Sequence, residues 1–113
     1  MAQIIEMLQR QASISERHQF GTDGDLIKAW LRSQKSENCR IAYEVAVRQF
    51  LNFCKKELSE IIISDVQDWF EFQINIRGLK PRSVNLKIAA LRSLFEFGFR
   101  TGYLSGEIGR AHV

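Results

Sequence analysis

The 113-residue chain is poor in cysteine, histidine and proline and has no long hydrophobic run. Its two cysteines, Cys39 and Cys54, fall on one predicted helix, where a rise of 1.5 Å per residue separates them by roughly 22 Å. Because this separation is far beyond the reach of a disulfide bond, both are expected to be reduced thiols. No CxxC motif or paired histidines accompany them, so the sequence predicts neither a metal site nor a cofactor.

The chain also lacks the residues on which most enzymes depend. The only two histidines, His18 and His112, lie in the segments with the weakest periodicity. No glycine-rich phosphate loop precedes a helix, and the serines and tyrosines have no local base. We therefore predict that this chain carries no catalytic residues.

A membrane or secretory protein is not indicated. No apolar run approaches the ~20 residues that span a bilayer. Glu6, Gln9 and Arg10 interrupt the N-terminal apolar residues, where a signal peptide has a continuous apolar core. These features predict a cytoplasmic protein.

The charges that are present are sorted along the chain. The net charge is +3, and 45% of the residues are hydrophobic, which predicts one domain with a single core. Residues 35–56 carry five basic and two acidic side chains, and residues 78–113 carry six basic and two acidic ones. Residues 57–77, between them, carry one basic and five acidic side chains. This pattern predicts one face for an anion and another for solvent or a partner.

Apolar residues recur at helical spacing and predict four helices, with no rival strand signal. The first is expected over residues 25–33 and the second over residues 37–56, capped by Ser36. A capping box of Ser64 and Gln67 is expected to begin the third. The fourth is expected to begin at Pro81, after a helix stop at Gly78.

Each helix is assigned one buried face. The second is expected to bury Cys39, Tyr43, Ala46, Val47, Phe50, Phe53 and Cys54. The third is expected to bury Val66, Trp69, Phe70 and Ile74. The fourth is expected to bury Val84, Ile88, Leu91, Leu94 and Phe95. Its far face, which is small and partly polar, consists of Arg82, Asn85, Leu86, Ala89 and Ser93.

The connecting segments divide the chain into a domain and two ends. Residues 1–22 are predicted to be a flexible arm, residues 23–104 the helical domain, and residues 105–113 a tail or linker stub. Residues 58–63 are expected to be a linker between helices. The segment from Arg100 to Leu104 is expected to be a helix exit followed by an apolar clamp.

The order and spacing of six short segments resemble one family. The segments are Ser36–Tyr43, Arg48–Cys54, Ile63–Trp69, Gly78–Asn85, Ala89–Phe95 and Gly102–Leu104. Over about residues 25–104 the chain resembles the N-terminal core-binding domain of tyrosine recombinases, the phage integrase and Xer-like family. The resemblance implies an all-α, four- to five-helix orthogonal bundle with a SAM-like arrangement.

The resemblance also implies a function. In the family this domain clamps one side of the recombination site on duplex DNA, with its second and fourth helices against the DNA, while a C-terminal catalytic domain holds the other side. Other recombinase protomers are further expected partners. The Arg, His-x-x-Arg and Tyr set of the catalytic domain is absent from this chain, so the chain is expected to be inactive alone.

The chain departs from the family pattern at three places. Cys39 stands where the family usually has Thr, and Leu86 stands where a polar or basic residue usually reaches DNA. Ser105-Gly106-Glu107 replaces the usual Asn-Pro.

The predicted DNA contacts lie in and next to the second and fourth helices. They are Lys35, Asn38, Arg48, Lys80, Arg82, Ser83, Asn85 and Lys87. Lys80, Arg82 and Ser83 suit phosphate capture at a helix N-terminus, although they also suit a solvated helix start. The Arg82 side chain could hydrogen-bond the edge of a guanine, and that of Asn85 the edge of an adenine. Lys87 is expected to lie nearer the packing side of the helix.

One rival function stays open at the level of sequence. Ile41, Val45 and Leu86 are predicted to point outward, and SAM-like bundles also mediate protein association. The two functions can be distinguished by measuring the affinity for duplex DNA. An affinity that falls steeply as salt is added favours DNA binding over protein association. A helix–turn–helix repressor is disfavoured, because no tight glycine turn joins two short helices.

Overall fold

The structure is a computed structural model that describes residues 20–105. It contains α1 (Asp23–Arg32), α2 (Glu37–Cys54), a short 3-10 helix (Leu58–Glu60), α3 (Ile63–Asn75) and α4 (Pro81–Arg100). No strand occurs among these residues, and the predicted all-α class is confirmed. None of the four helices combines the length and the apolar character needed to cross a membrane.

Short-range signals set most helix starts. The Thr22 hydroxyl accepts a hydrogen bond from the Asp25 N–H at 3.1 Å, so α1 begins two residues earlier than predicted. The predicted cap of α2 is confirmed, because the Ser36 hydroxyl accepts from the Cys39 N–H at 3.2 Å. Pro81 is the first residue of α4, as predicted. These caps act within one turn, which is why the sequence reveals them.

The start of α3 differs from the prediction. The predicted capping box of Ser64 and Gln67 is wrong, because the helix begins at Ile63. The Asp65 carboxylate accepts from the Ile62 N–H at 2.9 Å and so satisfies a backbone donor at this end. An acidic side chain here also complements the helix dipole.

α2 ends two residues earlier than predicted. Lys55 adopts a left-handed backbone with φ 54°, which stops the helix at Cys54. The next side chain, Lys56, turns to α3 and pairs with Asp65 at 3.0 Å. Burial alone would raise the pKa of Asp65, but the Ile62 N–H and the Lys56 ammonium outweigh it and lower that pKa. The end of α2 is therefore tied to a contact nine residues away.

The core forms where α4 packs against the other three helices. The Trp30 ring of α1 stacks on Tyr43 of α2, with centroids 5.5 Å apart. Trp69 of α3 meets Phe50 of α2 edge-on at 5.2 Å. The largest fully buried side chains are Trp30, Trp69, Phe50, Leu26, Leu58, Leu94, Gln73, Val47 and Val84.

Several predicted faces are wrong in detail. Phe53, Phe70 and Ile74 were expected in the core but are exposed. The polar side chain of Gln73 is buried instead, and its Oε1 accepts from Arg77 at 3.3 Å. α3 has apolar residues on two faces, and the contact of Trp69 with Phe50 selects the face that carries Gln73.

The predicted linker at residues 58–63 belongs partly to the core. It contains the 3-10 helix, and both Leu58 and Ile61 are buried. The predicted exit from α4 is confirmed: the helix ends at Arg100, and Leu104 is buried against it.

The predicted arm and tail lie largely outside the described residues. Phe20 is described, and its ring packs against Phe97 at 6.3 Å and Tyr103 at 6.2 Å. The division of the chain at residues 22 and 105 stays a prediction.

Candidate nucleic-acid interface

The start of α4 carries the most open group of predicted contacts. Lys80 is the N-cap residue, and its side chain makes no capping hydrogen bond. The first turn has no acidic residue, and Lys80, Arg82 and Ser83 are all exposed. Amide groups of a first turn have no partner within the helix, and the dipole gives this end a partial positive charge. These features together make an electropositive helix end.

This end differs from the starts of the other described helices. The first turn of α1 contains Asp23 and Asp25, that of α2 contains Glu37, and that of α3 contains Asp65. Each of those helices therefore supplies its own negative charge. In the described part of the chain, only α4 begins with basic residues and without an acidic one. An external anion would offset this charge.

Lys87 joins α4 to α2. Its Nζ donates a hydrogen bond to Oε1 of Gln49 at 2.6 Å, and the residue is half-buried. Burial lowers the pKa of Lys87, and the positive charge of Arg77 lowers it further. Lys87 therefore fixes the packing of two helices and is less open than Lys80 or Arg82.

Arg48 lies next to Gln49 on α2 and is exposed. It forms an ion pair with Glu44, one turn earlier, at 2.9 Å. Exposed pairs of this kind contribute little to stability. Arg48 can therefore exchange Glu44 for another anion at small cost.

Lys35 and Asn38 are exposed near the start of α2. Asn38 lies eleven residues before Gln49, which is about 16 Å along a helix. The structure thus places Lys87 against Gln49, next to Arg48 in the middle of α2. Lys35 and Asn38 lie farther along that helix. No contact in the structure tests a DNA-binding role for any of the eight residues, so that role stays a prediction.

Three residues of this region were missed by sequence reasoning. Glu44 had a readable signal, because its four-residue spacing from Arg48 is typical of a helical ion pair. Gln49 and Arg77 had none, because their importance depends on Lys87 from another helix.

The predicted open face of α4 needs one correction. Ser93 was assigned to that face, but it is half-buried, and its hydroxyl accepts from Nε1 of Trp30 at 2.9 Å. An indole N–H in a core needs such a partner. The open face therefore extends from Arg82 to Ala89 and does not include Ser93.

The acidic helix α3 presents a different surface. Asp68 and Glu71 are exposed. Val66, Phe70 and Ile88 line a shallow apolar groove between α3 and α4, with Gln67 and Glu71 at its edge. Among residues 20–105, no group of three or more potential ligands could hold a metal ion.

A comparison with models of protein families assigns this helical domain to a family. The model of the phage integrase N-terminal SAM-like domain matches residues 25–101. The chain belongs to this family. No curated protein and no solved structure matched it.

The phage integrase match runs from the first turn of α1 to the residue after α4. It confirms the SAM-like helical fold and identifies a recombinase-related module. The matched domain is the N-terminal one of the family.

Proposed function

We propose that this chain is a DNA-binding module of a site-specific tyrosine recombinase and that it clamps duplex DNA at the recombination site. The observation that carries the proposal is the exposed, basic start of α4, with no side-chain cap at Lys80 and no acid in its first turn. Phosphates are the anions that such a helix end suits. The family match supplies the recombinase setting.

In this proposal the residues divide by role. Lys80 and Ser83 contact phosphates, and Arg82 reaches either a phosphate or the edge of a guanine. Arg48 approaches from α2, and Asn85 lies one turn after Arg82. Lys87 holds the two helices in register through Gln49.

The test compares two charge changes on different helices. Binding to duplexes selected from a random-sequence library is measured by fluorescence anisotropy at low salt, because avidity is lost when one half of a clamp is missing. Arg82→Ala should weaken binding by about 1–3 kcal/mol and reduce the salt slope by about one. Asp68→Ala, on α3, should leave binding equal or slightly tighter, because it removes an acid.

Two results would contradict the proposal. One is a wild-type chain that binds no duplex at low salt. The other is an Arg82→Ala variant that binds as well as wild type while Asp68→Ala abolishes binding. In that second case the contact surface is on α3.

A second candidate function is supported by a separate observation. Ile63, Phe70 and Ile74 are exposed on one stripe of α3, beside the groove that Ile88 lines. We propose that this stripe contacts another recombinase protomer, as the family's partners suggest. It does not overlap the start of α4, so both functions can coexist.

A further inference from the structure

Large apolar side chains are exposed on the two helices that carry the proposed DNA contacts. Ile41 is 54% exposed and Val45 is 40% exposed on α2, and Leu86 is 49% exposed on α4. Single exposed apolar residues are common on protein surfaces. Each of these three lies within one or two turns of a proposed cationic contact. The other exposed apolar side chain of α2, Phe53, instead packs against Phe72 of α3.

The spacing along each helix places apolar and basic residues together. Ile41 and Val45 are four residues apart and therefore share a face of α2. Arg48 follows Val45 by three residues and is exposed on the same side. On α4, Leu86 follows Arg82 by four residues and is one turn farther along the same face.

One hydrogen bond brings the two faces together. The Lys87 ammonium binds Gln49 at 2.6 Å, which fixes the point where α4 meets α2. Leu86 is the residue before Lys87, and Val45 lies one turn before Gln49. Leu86 and Val45 therefore lie within about one helical turn of the point where the helices meet, whereas Ile41 lies one turn farther along α2. Arg48 is next to Gln49, and Arg82 is one turn before Leu86.

Contacts to DNA phosphates would account for the basic side chains of this surface, but not for its apolar side chains. Contacts to phosphates position a protein on DNA, whereas contacts to base edges in the major groove carry sequence information. The only apolar group that a base pair presents in the major groove is the C5 methyl of thymine. Cations that hold the phosphates would bring nearby aliphatic side chains to the base edges.

We propose that Ile41, Val45 and Leu86 form an apolar contact surface that reads thymine methyl groups, so that the domain prefers sites with A·T pairs in the major groove it faces. This inference rests on the proposed function. It adds a source of sequence preference that hydrogen bonds from Arg82 or Asn85 would not supply.

The experiment removes the methyl groups without altering base pairing. The full 113-residue chain is first used to select duplexes from a random library at low salt. A selected duplex is then made with thymine or with deoxyuridine, which forms the same pair and lacks the methyl. Wild type should bind the deoxyuridine duplex more weakly, by roughly fourfold for each contacted methyl.

Variants assign the effect to the protein surface. Leu86→Ala and Ile41→Ala should weaken binding to the thymine duplex and should reduce or abolish the difference between the two duplexes. The matched control is Ile62→Ala, because Ile62 is also 54% exposed but lies at the start of α3. It should keep the full difference.

The outcomes separate this inference from the function on which it rests. Wild type that binds neither duplex contradicts the proposed function itself. Wild type that binds both duplexes equally, with Arg82→Ala still weakened, leaves the proposed function in place and overturns the reading of methyl groups. A difference that persists in both Leu86→Ala and Ile41→Ala also overturns it, since the methyls then act through DNA shape.

Discussion

Gly98 shows how the segment that follows a helix can require one particular residue within it. It lies in α4 and is buried. A Cβ added there would lie 2.5 Å from Cδ1 and 2.9 Å from Cγ of Leu104. The Gly98 carbonyl also accepts from the Leu104 N–H at 3.0 Å, where the chain folds back over the helix. Glycine is needed here because it allows this close approach.

We predict that Gly98→Ala destabilises the domain by about 1–3 kcal/mol, the usual cost of overpacking a core. This loss should occur although alanine favours a helix by about 1 kcal/mol over glycine. Urea unfolding followed by circular dichroism measures it. In a Leu104→Ala background the same change should be neutral or stabilising, because the clash is gone. An equal loss in both backgrounds would rule out the clash as the cause.

The two tyrosines are engaged in structural contacts. Tyr43 stacks on Trp30, and the Tyr103 hydroxyl donates a hydrogen bond to the Asp23 carboxylate. Neither environment supplies the cationic cluster that a nucleophile at phosphate needs. Burial raises the pKa of both side chains, which further disfavours a phenolate.

We predict that the chain forms no covalent adduct with DNA. Nicked duplexes carrying library-selected sequences are incubated with the protein and separated on denaturing gels. The gel should show only free protein and free DNA. A shifted band that disappears in Tyr43→Phe or Tyr103→Phe would identify a nucleophile and contradict this prediction.

At the scale of one element, α3 is apolar on two faces. Trp69 and Gln73 face the core, while Ile63, Phe70 and Ile74 are exposed. Both sets have helical spacing, so periodicity alone cannot select between them. The exposed set repeats at steps of seven and four residues, a spacing that suits a partner helix.

We predict that the double change Phe70→Ser and Ile74→Ser reduces self-association at high protein concentration. The physical reason is the loss of apolar area from the proposed protomer contact. Sedimentation velocity measures association, and duplex binding at low salt should be unchanged. Ile41→Ser is the control, because it removes from α2 an isoleucine that is more exposed than Ile74. If it lowers association as much as the double change, the contact is not on α3.

At the scale of the whole molecule, Asp23 joins three parts of the chain. Its carboxylate accepts from the Leu58 N–H at 2.8 Å and from the Tyr103 hydroxyl. These partners lie 35 and 80 residues away in sequence. The start of α1, the 3-10 helix and the exit from α4 are thereby held together.

We predict that Tyr103→Phe lowers the free energy of unfolding by about 1.5–3 kcal/mol at neutral pH, the range for a hydrogen bond to a charged group. Burial, the bond to Asp23 and nearby carboxylates raise the pKa of Tyr103 above its ordinary value. The unfolded chain therefore loses this proton first, at about pH 10. The stabilisation is complete below that pH and declines as pH rises further.

Urea unfolding of wild type and Tyr103→Phe over a series of pH values checks this. The difference between the two proteins should be constant up to about pH 9 and should shrink above pH 10. Because the two proteins share all other titratable groups, the effect of those groups cancels when the two free energies of unfolding are subtracted. A difference that grows at high pH would contradict the assigned direction.

Much of the fold could be predicted from sequence because its signals are local. The all-α class, the Ser36 cap, the Pro81 start and the buried stripe of α4 all follow from residues within a few turns of one another. The candidate site shares this property in part. The basic start of α4 is a contiguous segment, so it can be located from the amino-acid sequence alone.

Contacts between distant residues decided the remainder. Gln73 is buried in place of Ile74 because Trp69, one turn before it, packs against Phe50 of α2. Ser93 is turned inward because its hydroxyl accepts from Trp30 of α1, 63 residues away. The Lys87–Gln49 bond, which joins the two proposed DNA-facing helices, links residues 38 apart. Local periodicity contains no information about such pairs, because a helix with two apolar faces acquires an inside only when another element packs on it.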